Sequence, residues 1–257
     1  MGIHILGTGS YTPPCTLTNA DLSEMVETND EWIRTRTGIS VRHVSDGEPT
    51  WYMGVQAAQQ AIATAGIDPA DIGLIIDTTI TGEYCTPSMS CIIQRETKAV
   101  NAACFDLNAA CSGFVYAMDT AHRFLMTDPH MKYALVVANE SLSKITNYSD
   151  RSSCILFGDG AGAIVLTAEE QETKACEKIH SDGEKGVSLT CEKGTYLQMD
   201  GRAVFQFALS RVPEVIREVL AEADMAVEEI DAFILHQANS RIIDGVAKRL
   251  KAPKEKF

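Results

Sequence analysis

Apolar runs bounded by turn residues alternate along the chain with amphipathic stretches, and this alternation is typical of an α/β fold. The apolar runs predict strands at residues 2–7, 73–80, 101–107, 133–139, 155–157 with 162–167, and 230–236. The amphipathic stretches predict helices at residues 19–26, 51–65, 87–97, 111–126, 202–222 and 238–250. Asn19 and Asp30 lie where helix N-caps are expected.

Two segments of the chain, residues 61–77 and 219–235, match each other at an offset of 158 positions. Each reads as an amphipathic helix, a short acidic link and a buried strand. The matched pairs are Ala65 with Ala223, Asp71 with Glu229, Ile72 with Ile230, and Ile76 with Ile234. Any helix-to-strand connection shares part of this pattern, but a duplicated α/β architecture would also produce it. If the halves are equivalent, the first covers residues 1–168 and the second, residues 169–257, is incomplete.

The composition indicates a soluble globular protein, with 45% hydrophobic and 22% charged residues. No apolar run approaches the ~20 residues of a membrane-spanning helix, and the N-terminus lacks a basic secretory signal. The eight cysteines include no Cys-x-x-Cys pair, which argues against a zinc ribbon and fits free thiols in a reducing compartment. We therefore expect a cytoplasmic protein without a metal site.

The net charge of −13 argues against general nucleic-acid binding, but the charge is unevenly distributed. Residues 238–257 contain six basic and two acidic side chains, whereas the rest of the chain contains 16 basic and 33 acidic ones. From charge alone, a solvated helix face is the simpler interpretation of this basic segment.

Cys111 is the strongest candidate for chemistry. It follows an apolar strand and a turn of small residues, and it opens the helix predicted at 111–126. A helix N-terminus stabilises a thiolate, and its exposed amides can hold an oxyanion, so we expect Cys111 to have the lowest pKa of the eight cysteines. The alternative is a buried structural cysteine, which is the common case in a cytosolic protein.

His236 is the second candidate, because it ends the strand predicted at 230–236 and begins the segment His-Gln-Ala-Asn. Ligands bind at the carboxyl ends of buried strands in α/β proteins. A lone histidine after an apolar run is more often a satisfied core residue. Sequence spacing alone does not link His236 to Cys111.

Three further patterns in the sequence suggest other kinds of site. The segment around Cys111 also resembles a nucleophile elbow, which makes a cysteine hydrolase the rival enzyme class. Gly7 and Gly9 follow the first strand, but the third glycine of a dinucleotide-binding loop is absent. The glycine-rich residues 158–162 read as a tight turn rather than a phosphate-binding loop.

Taken together, five motifs in the same order resemble the β-ketoacyl-acyl carrier protein synthase III family, from residue 2 to about residue 250. They are residues 28–39 (TNDEWIRTRTGI), 110–114 (ACSGF), 150–152 (DRS), 157–163 (FGDGAGA) and 236–239 (HQAN). The resemblance implies an α/β fold of the thiolase-like, layered αβαβα type, built from two duplicated halves of which the second is truncated here. It also implies a homodimer that starts fatty-acid synthesis.

The resemblance further implies a mechanism and its residues. Cys111 takes an acyl group from acyl-coenzyme A, malonyl-acyl carrier protein loses carbon dioxide, and the resulting carbanion attacks the Cys111 thioester. His236 stabilises the enolate-like charge with a hydrogen bond. Coenzyme A acts as a substrate rather than a cofactor, and its contacts are Thr28, Trp32, Arg36, Arg151, Gly201 and Asn239.

The same resemblance changes the interpretation of the basic segment. Acyl carrier proteins are acidic, and Gln237, Arg241, Lys248 and Arg249 match positions that contact the carrier in this family. Spacings of seven and eight residues place the three basic side chains on one side of a helix. A carrier-docking face therefore replaces the solvated face as the preferred interpretation.

Two departures from the family pattern are visible. Thr86 occupies the position at the floor of the acyl pocket where many members have phenylalanine. The family's asparagine in an Asn-Thr-Ser motif and its later glycine-rich segment do not follow His236 within the 257 residues. We therefore expect this chain to be poor at the complete condensation. The rivals are a related condensing enzyme with another acceptor, such as a polyketide-starter or alkylquinolone-type synthase, and a non-catalytic fragment that binds coenzyme A or the carrier.

Overall fold

The computed structural model describes residues 2–169 and 175–257. The chain forms two compact units, each assembled from separate segments. The first unit contains Met1–Thr16, His43–Lys144 and Gly158–Ala175, and the second contains Leu17–Arg42, Ile145–Phe157 and Cys176–Phe257. Both units use chain from either side of residue 168, and the division into duplicated halves stays a prediction.

The described residues contain nine strands and seven α-helices. The strands are β1 (Gly2–Tyr11), β2 (Thr16–Thr18), β3 (Val41–His43), β4 (Ile72–Thr78), β5 (Ala103–Leu107), β6 (Tyr133–Ser141), β7 (Asp159–Glu169), β8 (Leu189–Thr190) and β9 (Gln198–Met199). The helices are α1 (Asn19–Met25), α2 (Asp30–Thr37), α3 (Thr50–Ala65), α4 (Met89–Thr97), α5 (Gly113–Thr127), α6 (Gly201–Ala223) and α7 (Ser240–Leu250). Across residues 2–169 and 175–257, no helix is long and apolar enough to cross a membrane.

A mixed five-stranded sheet forms the centre of the first unit, in the order β1-β7-β6-β4-β5. Strand β4 runs parallel to β5 and β6, whereas β7 is antiparallel to β1 and β6. Helices α3 and α4 pack on one face of the sheet and α5 packs on the other, so β4 is covered on both faces. This double coverage explains why the first five residues of β4, 72–76, read as an uninterrupted apolar run.

Gly7 and Gly9 lie in β1, where helix α3 passes over the strand. A Cβ atom at Gly7 would lie 2.4 Å from the Ala61 carbonyl oxygen, and one at Gly9 would lie 2.1 Å from the Ala57 carbonyl oxygen. The two glycines therefore allow a helix backbone to approach a strand closely, which is a packing role and not a nucleotide-binding one.

The second unit contains helices α1, α2, α6 and α7 and the short β8–β9 hairpin. Helix α7 buries Ile242, Val246 and Leu250 against the apolar side of α6. At the end of the chain, the rings of Phe233 and Phe257 stack with their centroids 4.7 Å apart. The strong amphipathic pattern of residues 238–250 thus reflects a single buried face.

Several boundaries predicted from the sequence differ from the structure. The N-caps are Thr18 and Asn29, one residue before the predicted Asn19 and Asp30, and the short helix α2 was not predicted. Residues 155–157 are not a strand, because the Arg42 guanidinium binds the Ile155 carbonyl oxygen that a strand neighbour would use. The glycine-rich residues 158–162 are not a tight turn, since β7 begins at Asp159 and runs through them.

The strand predicted at residues 230–236 is also absent. Residues 232–236 alternate between exposed and half-buried positions, but the segment lies in no sheet. Phe233 and Leu235 pack on the α6–α7 core, while Ile234 is 95% exposed. A strand requires a neighbouring ladder, and the alternating pattern alone does not provide one.

The repeat found in the sequence is reproduced in local geometry at the same offset. Helix α3 ends at Gly66 and helix α6 ends at Asp224, and both residues adopt the left-handed conformation. A one-turn 3-10 helix follows each of them, at Pro69–Asp71 and at Val227–Glu229. This agreement supports the duplication.

Candidate active site

Cys111 lies in a tight turn between β5 and α5. The turn is a one-turn 3-10 helix, Ala110–Ser112, and α5 begins two residues after the cysteine, at Gly113. Ala110 has a φ of 44°, in the left-handed region that a residue with a Cβ rarely adopts. Residues held in such conformations cluster at functional sites. The helix was predicted to begin at Cys111, but it begins two residues later, at Gly113. The predicted strand–turn–helix setting of Cys111 is confirmed.

The Cys111 turn packs closely against the end of β4. A Cβ atom at Gly113 would lie 1.8 Å from the Thr78 hydroxyl oxygen, so only glycine fits without a rearrangement. Thr78 is the last residue of β4 and is buried. The position of Cys111 thus depends on where β4 ends.

The expectation of a lowered pKa at Cys111 is wrong. Burial of the thiol raises its pKa, the negative charge of Glu140 adds to this effect, and a hydrogen bond from the cysteine's own backbone N–H opposes it. The residue as a whole stays exposed, but the Sγ atom lies among enough protein atoms to be poorly hydrated. The Cys111 side chain is therefore a thiol at neutral pH. Burial and the neighbouring Cys91 raise the pKa of Cys104 further, to about 12.

Glu140, near the end of β6, is a site residue that the sequence did not reveal. Its carboxylate accepts hydrogen bonds from the Ile80 N–H at 2.8 Å and from the hydroxyls of Thr79 and Thr81. The available signal was an acidic residue directly after an apolar strand, at the edge of the sheet where ligands bind. Nothing in the spacing distinguished it from the other acidic residues.

His236 is the last residue of segment 230–236 in the second unit, whereas Cys111 belongs to the first. The residue is exposed, but the protein atoms around its imidazole partly desolvate the ring and lower its pKa, so His236 is neutral at pH 7. A neutral imidazole donates one hydrogen bond and accepts another. This protonation state suits a group that stabilises developing negative charge by hydrogen bonding.

The predicted coenzyme A contacts Trp32, Arg36 and Arg151 are clustered in the second unit. The Arg151 guanidinium carbon lies 4.4 Å from the centroid of the Trp32 ring, and that of Arg36 lies 5.7 Å away. Nearby in the chain, Thr28 has a buried hydroxyl oxygen without a hydrogen-bond partner. An indole face with two guanidinium groups and an unsatisfied hydroxyl can bind a planar base and its phosphates.

Gly201 and Asn239 both lie at helix N-termini. Gly201 is the first residue of α6, whose N-cap Asp200 accepts hydrogen bonds from two backbone N–H groups. Asn239 is the N-cap of α7, and its side-chain oxygen accepts a hydrogen bond from the Ile242 N–H at 3.0 Å. The capping role commits the oxygen of Asn239, so a pantetheine contact would use the remaining amide N–H groups.

The four residues predicted to bind the carrier, Gln237, Arg241, Lys248 and Arg249, are all exposed. Arg241 lies over the Phe205 ring at 5.3 Å. Arg249 also donates a hydrogen bond to the Leu209 carbonyl oxygen of α6 at 2.9 Å. That carbonyl has no helical partner because residue 213, four positions later, is a proline without an N–H. Arg249 therefore has a structural role in addition to the predicted one.

Thr86 lies in the first unit, in the exposed segment that precedes α4. Helix α4 starts at Met89, two residues later than predicted, and Asp106 of β5 fixes this start. Its carboxylate accepts hydrogen bonds from the Met89 N–H at 2.7 Å and from the Ser90 N–H at 2.9 Å. In the part of the chain that the structure describes, no group of three His, Cys, Asp or Glu side chains could hold a metal ion.

Solved structures define the class of this fold. The 3-oxoacyl-(acyl-carrier-protein) synthase III of Aquifex aeolicus matches with a TM-score of 0.96 at 42% identity, covering 99% of this chain and 83% of that one. A priming β-ketosynthase of a polyketide biosynthetic pathway matches with a TM-score of 0.91 at 35% identity, covering 99% and 80%. The predicted thiolase-like α/β fold is confirmed.

The family follows from sequence comparison. The model of 3-oxoacyl-(acyl-carrier-protein) synthase III matches residues 105–183, and the model of its C-terminal domain matches residues 220–257. The β-ketoacyl-(acyl-carrier-protein) synthase III of Clostridium perfringens is 45% identical over 98% of this chain and 82% of its own length. The enzyme of Clostridium kluyveri is 44% identical over 99% and 83%. The chain belongs to the β-ketoacyl-acyl carrier protein synthase III family of condensing acyltransferases.

Proposed function

We propose that the protein condenses an acyl-coenzyme A primer with malonyl-acyl carrier protein, with loss of carbon dioxide, and so starts fatty-acid synthesis. The observation that carries this proposal is the presentation of Cys111 in a strained strand–turn–helix connection. Family membership supplies the reaction type, and the geometry around Cys111 supplies a nucleophile suited to it.

In the first half-reaction, the Cys111 sulfur attacks the thioester carbonyl of the primer. A bond forms between sulfur and acyl carbon, the bond to coenzyme A breaks, and the thiol proton leaves with the coenzyme A sulfur. Burial raises the pKa of Cys111, so the proton is lost as the attack occurs and not beforehand. The backbone amides at the start of α5 are suited to stabilise the oxyanion.

In the second half-reaction, malonyl-acyl carrier protein loses carbon dioxide and leaves an enolate. The enolate carbon attacks the acyl group on Cys111 and the carbon–sulfur bond breaks, which releases a β-ketoacyl carrier protein. The Cys111 thiolate that leaves takes up a proton from water and returns to the thiol. His236 donates a hydrogen bond to the enolate oxygen, a role for which its neutral imidazole is suited. Each step of this scheme balances without an external oxidant or reductant.

Substrate contacts extend the proposal to the surface of the second unit. Trp32, Arg36, Arg151 and Thr28 bind the nucleotide end of coenzyme A, and Gly201 and Asn239 lie along its pantetheine arm. Gln237, Arg241 and Lys248 bind the acidic carrier. Arg249 adds charge to this face while it holds the Leu209 carbonyl.

We also propose a homodimer. Strand β5 is at the edge of the five-stranded sheet, with one side free of a strand neighbour within residues 2–169. Apolar side chains are exposed nearby on α5, where Val115 is 53% exposed and Phe124 is 41% exposed. An open sheet edge beside exposed apolar residues is a surface that a second copy can cover.

The alternative function is that of a related condensing enzyme with another acceptor. The 35% identity to a polyketide priming enzyme supports this alternative. Thr86 bears on the same question, because a threonine where relatives have phenylalanine leaves more room for the primer. Each buried methylene contributes about 0.8 kcal/mol, so this room should alter the preference among acetyl, branched and longer primers. The comparison variant is Thr86→Phe.

The two half-reactions can be assayed separately to test the proposal. Cys111→Ala should abolish acyl transfer, and His236→Ala should leave transfer but lower decarboxylation of malonyl-acyl carrier protein by roughly 10²–10³. Arg241→Glu with Lys248→Glu should weaken use of the carrier-linked substrate and spare transfer from coenzyme A, and the defect should shrink at high salt. Acyl transfer that survives Cys111→Ala, or equal loss of both half-reactions in the charge-reversed protein, would contradict the proposal.

A further inference from the structure

We propose that Glu140 is a positioning residue for Cys111: its carboxylate fixes the end of β4 on which the Cys111 turn packs and presents a negative charge to the thiol. The inference rests on the proposed role of Cys111 as the nucleophile. It adds a group that contacts neither substrate in the reaction scheme. All the residues involved belong to the first unit.

The first step of the argument is the loop after β4. One oxygen of Glu140 accepts the Ile80 N–H at 2.8 Å, and the other accepts the Thr79 hydroxyl at 3.2 Å and the Thr81 hydroxyl. The Thr81 hydroxyl itself accepts the Ser141 N–H at 2.8 Å, so its own proton points to Glu140. Every contact of Glu140 is therefore a donor, which fits an ionised carboxylate.

The second step connects this loop to the nucleophile. Thr78 immediately precedes the bound segment, and it is the residue on which Gly113 packs. In the sheet, Thr78 pairs with Ala138, two residues before Glu140, so these three side chains lie on the face covered by α5. A shift of residues 79–81 would move Thr78 and with it the turn that carries Cys111.

The third step is electrostatic. Burial raises the pKa of Cys111, and the charge of Glu140 raises it further. Three other acidic groups of the first unit do not share this position. Asp77 and Asp106 lie on the opposite face of the sheet from Glu140, and Glu83 forms an ion pair with Lys144. Burial also raises the pKa of Glu140 itself, while its hydrogen bonds oppose that change. Of these acidic groups, Glu140 is the one on the same face of the sheet as Thr78, and its charge raises the pKa of the thiol.

The test separates the effect of the Glu140 charge from the effect of its side-chain length. Glu140→Gln removes the charge and keeps the length of the side chain, whereas Glu140→Asp keeps the charge and withdraws it from the loop. Asp159→Asn is the matched control, because Asp159 also accepts three hydrogen bonds, from Ser45 and Ser143, at another strand end. Iodoacetamide alkylation of Cys111 is followed against pH by peptide mass mapping, and acetyl transfer from acetyl-coenzyme A is measured in parallel.

We expect Glu140→Gln to alkylate Cys111 about threefold faster at pH 7, with the profile moved to lower pH, because thiolate formation is no longer opposed. Glu140→Asp should keep the wild-type profile but lose about tenfold in acetyl transfer. A wild-type profile in Glu140→Gln, or an equal shift in Asp159→Asn, would overturn the proposal. Thermal unfolding shows whether each variant is folded. If Glu140→Gln does not fold, a wild-type rate of acetyl transfer in Glu140→Asp overturns the proposal instead. A shifted profile in a protein that takes no acetyl group would contradict the proposed function and not this inference.

Discussion

The matched segments 61–77 and 219–235 have the same local structure but different surroundings. In both, a helix ends in a left-handed residue, a 3-10 turn follows, and the chain continues as an extended segment. In the first, the extended segment is β4, a central strand in which Ile76 is fully buried. In the second, the equivalent Ile234 is 95% exposed and the segment pairs with no strand.

This difference shows which features are local. A helix end and its turn need only the residues that form them, since the cap hydrogen bonds lie within a few positions. A strand needs at least one hydrogen-bonded neighbouring strand, and its burial comes from elements far away in the sequence. The same contrast applies to the candidate catalytic groups, because Cys111 is held by β4 and α5, whereas His236 follows an unpaired segment.

The largest effect is expected from replacing the two matched isoleucines, Ile76 and Ile234, one at a time. Ile76→Ala removes a fully buried side chain from β4 and should lower the free energy of unfolding by about 2–5 kcal/mol. Ile234→Ala should change it by less than about 0.5 kcal/mol, because almost no contact is lost. Urea denaturation of both variants measures the two values. Similar losses would show that residues 230–236 are packed as tightly as β4.

A second test uses Asp77, whose matched position in the repeat is Leu235. Burial and the negative charge of Asp106 raise the pKa of Asp77 well above its usual range, although a hydrogen bond from Asn139 opposes this. The carboxyl group stays protonated in the folded protein while the unfolded chain ionises. Raising the pH above about 4 therefore destabilises the wild type, by up to about 1.4 kcal/mol per pH unit.

Asp77→Asn does not titrate, so its unfolding free energy relative to wild type should increase as the pH rises from 4. Denaturation of both proteins over a pH series provides the difference. A difference that stays constant with pH would mean that Asp77 has an ordinary pKa, and that the interior around β4 is better hydrated than the structure indicates.

The smallest expected effect concerns the helix ends, where the two segments are most alike. Gly66→Ala should lower the free energy of unfolding by about 1 kcal/mol, because a Cβ there meets no neighbour and only the left-handed backbone is disfavoured. Asp224→Gly should raise the free energy of unfolding by up to about 1 kcal/mol, because glycine adopts the left-handed conformation without this penalty. Thermal unfolding detects both changes. Two changes of the same sign would show that the caps are not equivalent.

The sequence allowed six of the seven described α-helices, the family and the candidate nucleophile to be predicted, because each depends on a local pattern. Helices at 51–65 and 202–222 are confirmed to within one residue. The raised pKa of Cys111 could not be predicted, since it depends on burial and on Glu140, which is distant in the sequence. The contact of Arg249 with α6 was also missed, although the proline at position 213 was a visible signal that the Leu209 carbonyl lacked a partner.

Acetylation of Cys111 tests the central claim most directly. The protein is incubated with acetyl-coenzyme A at neutral pH, and its intact mass and tryptic peptides are measured over time, with Cys111→Ala as the control. The account predicts that one acetyl group is added per chain, on Cys111 and on none of the other seven cysteines, and that the control gains none. Acetylation of another cysteine at the same rate, or an unmodified Cys111 in a protein that binds coenzyme A, would contradict it.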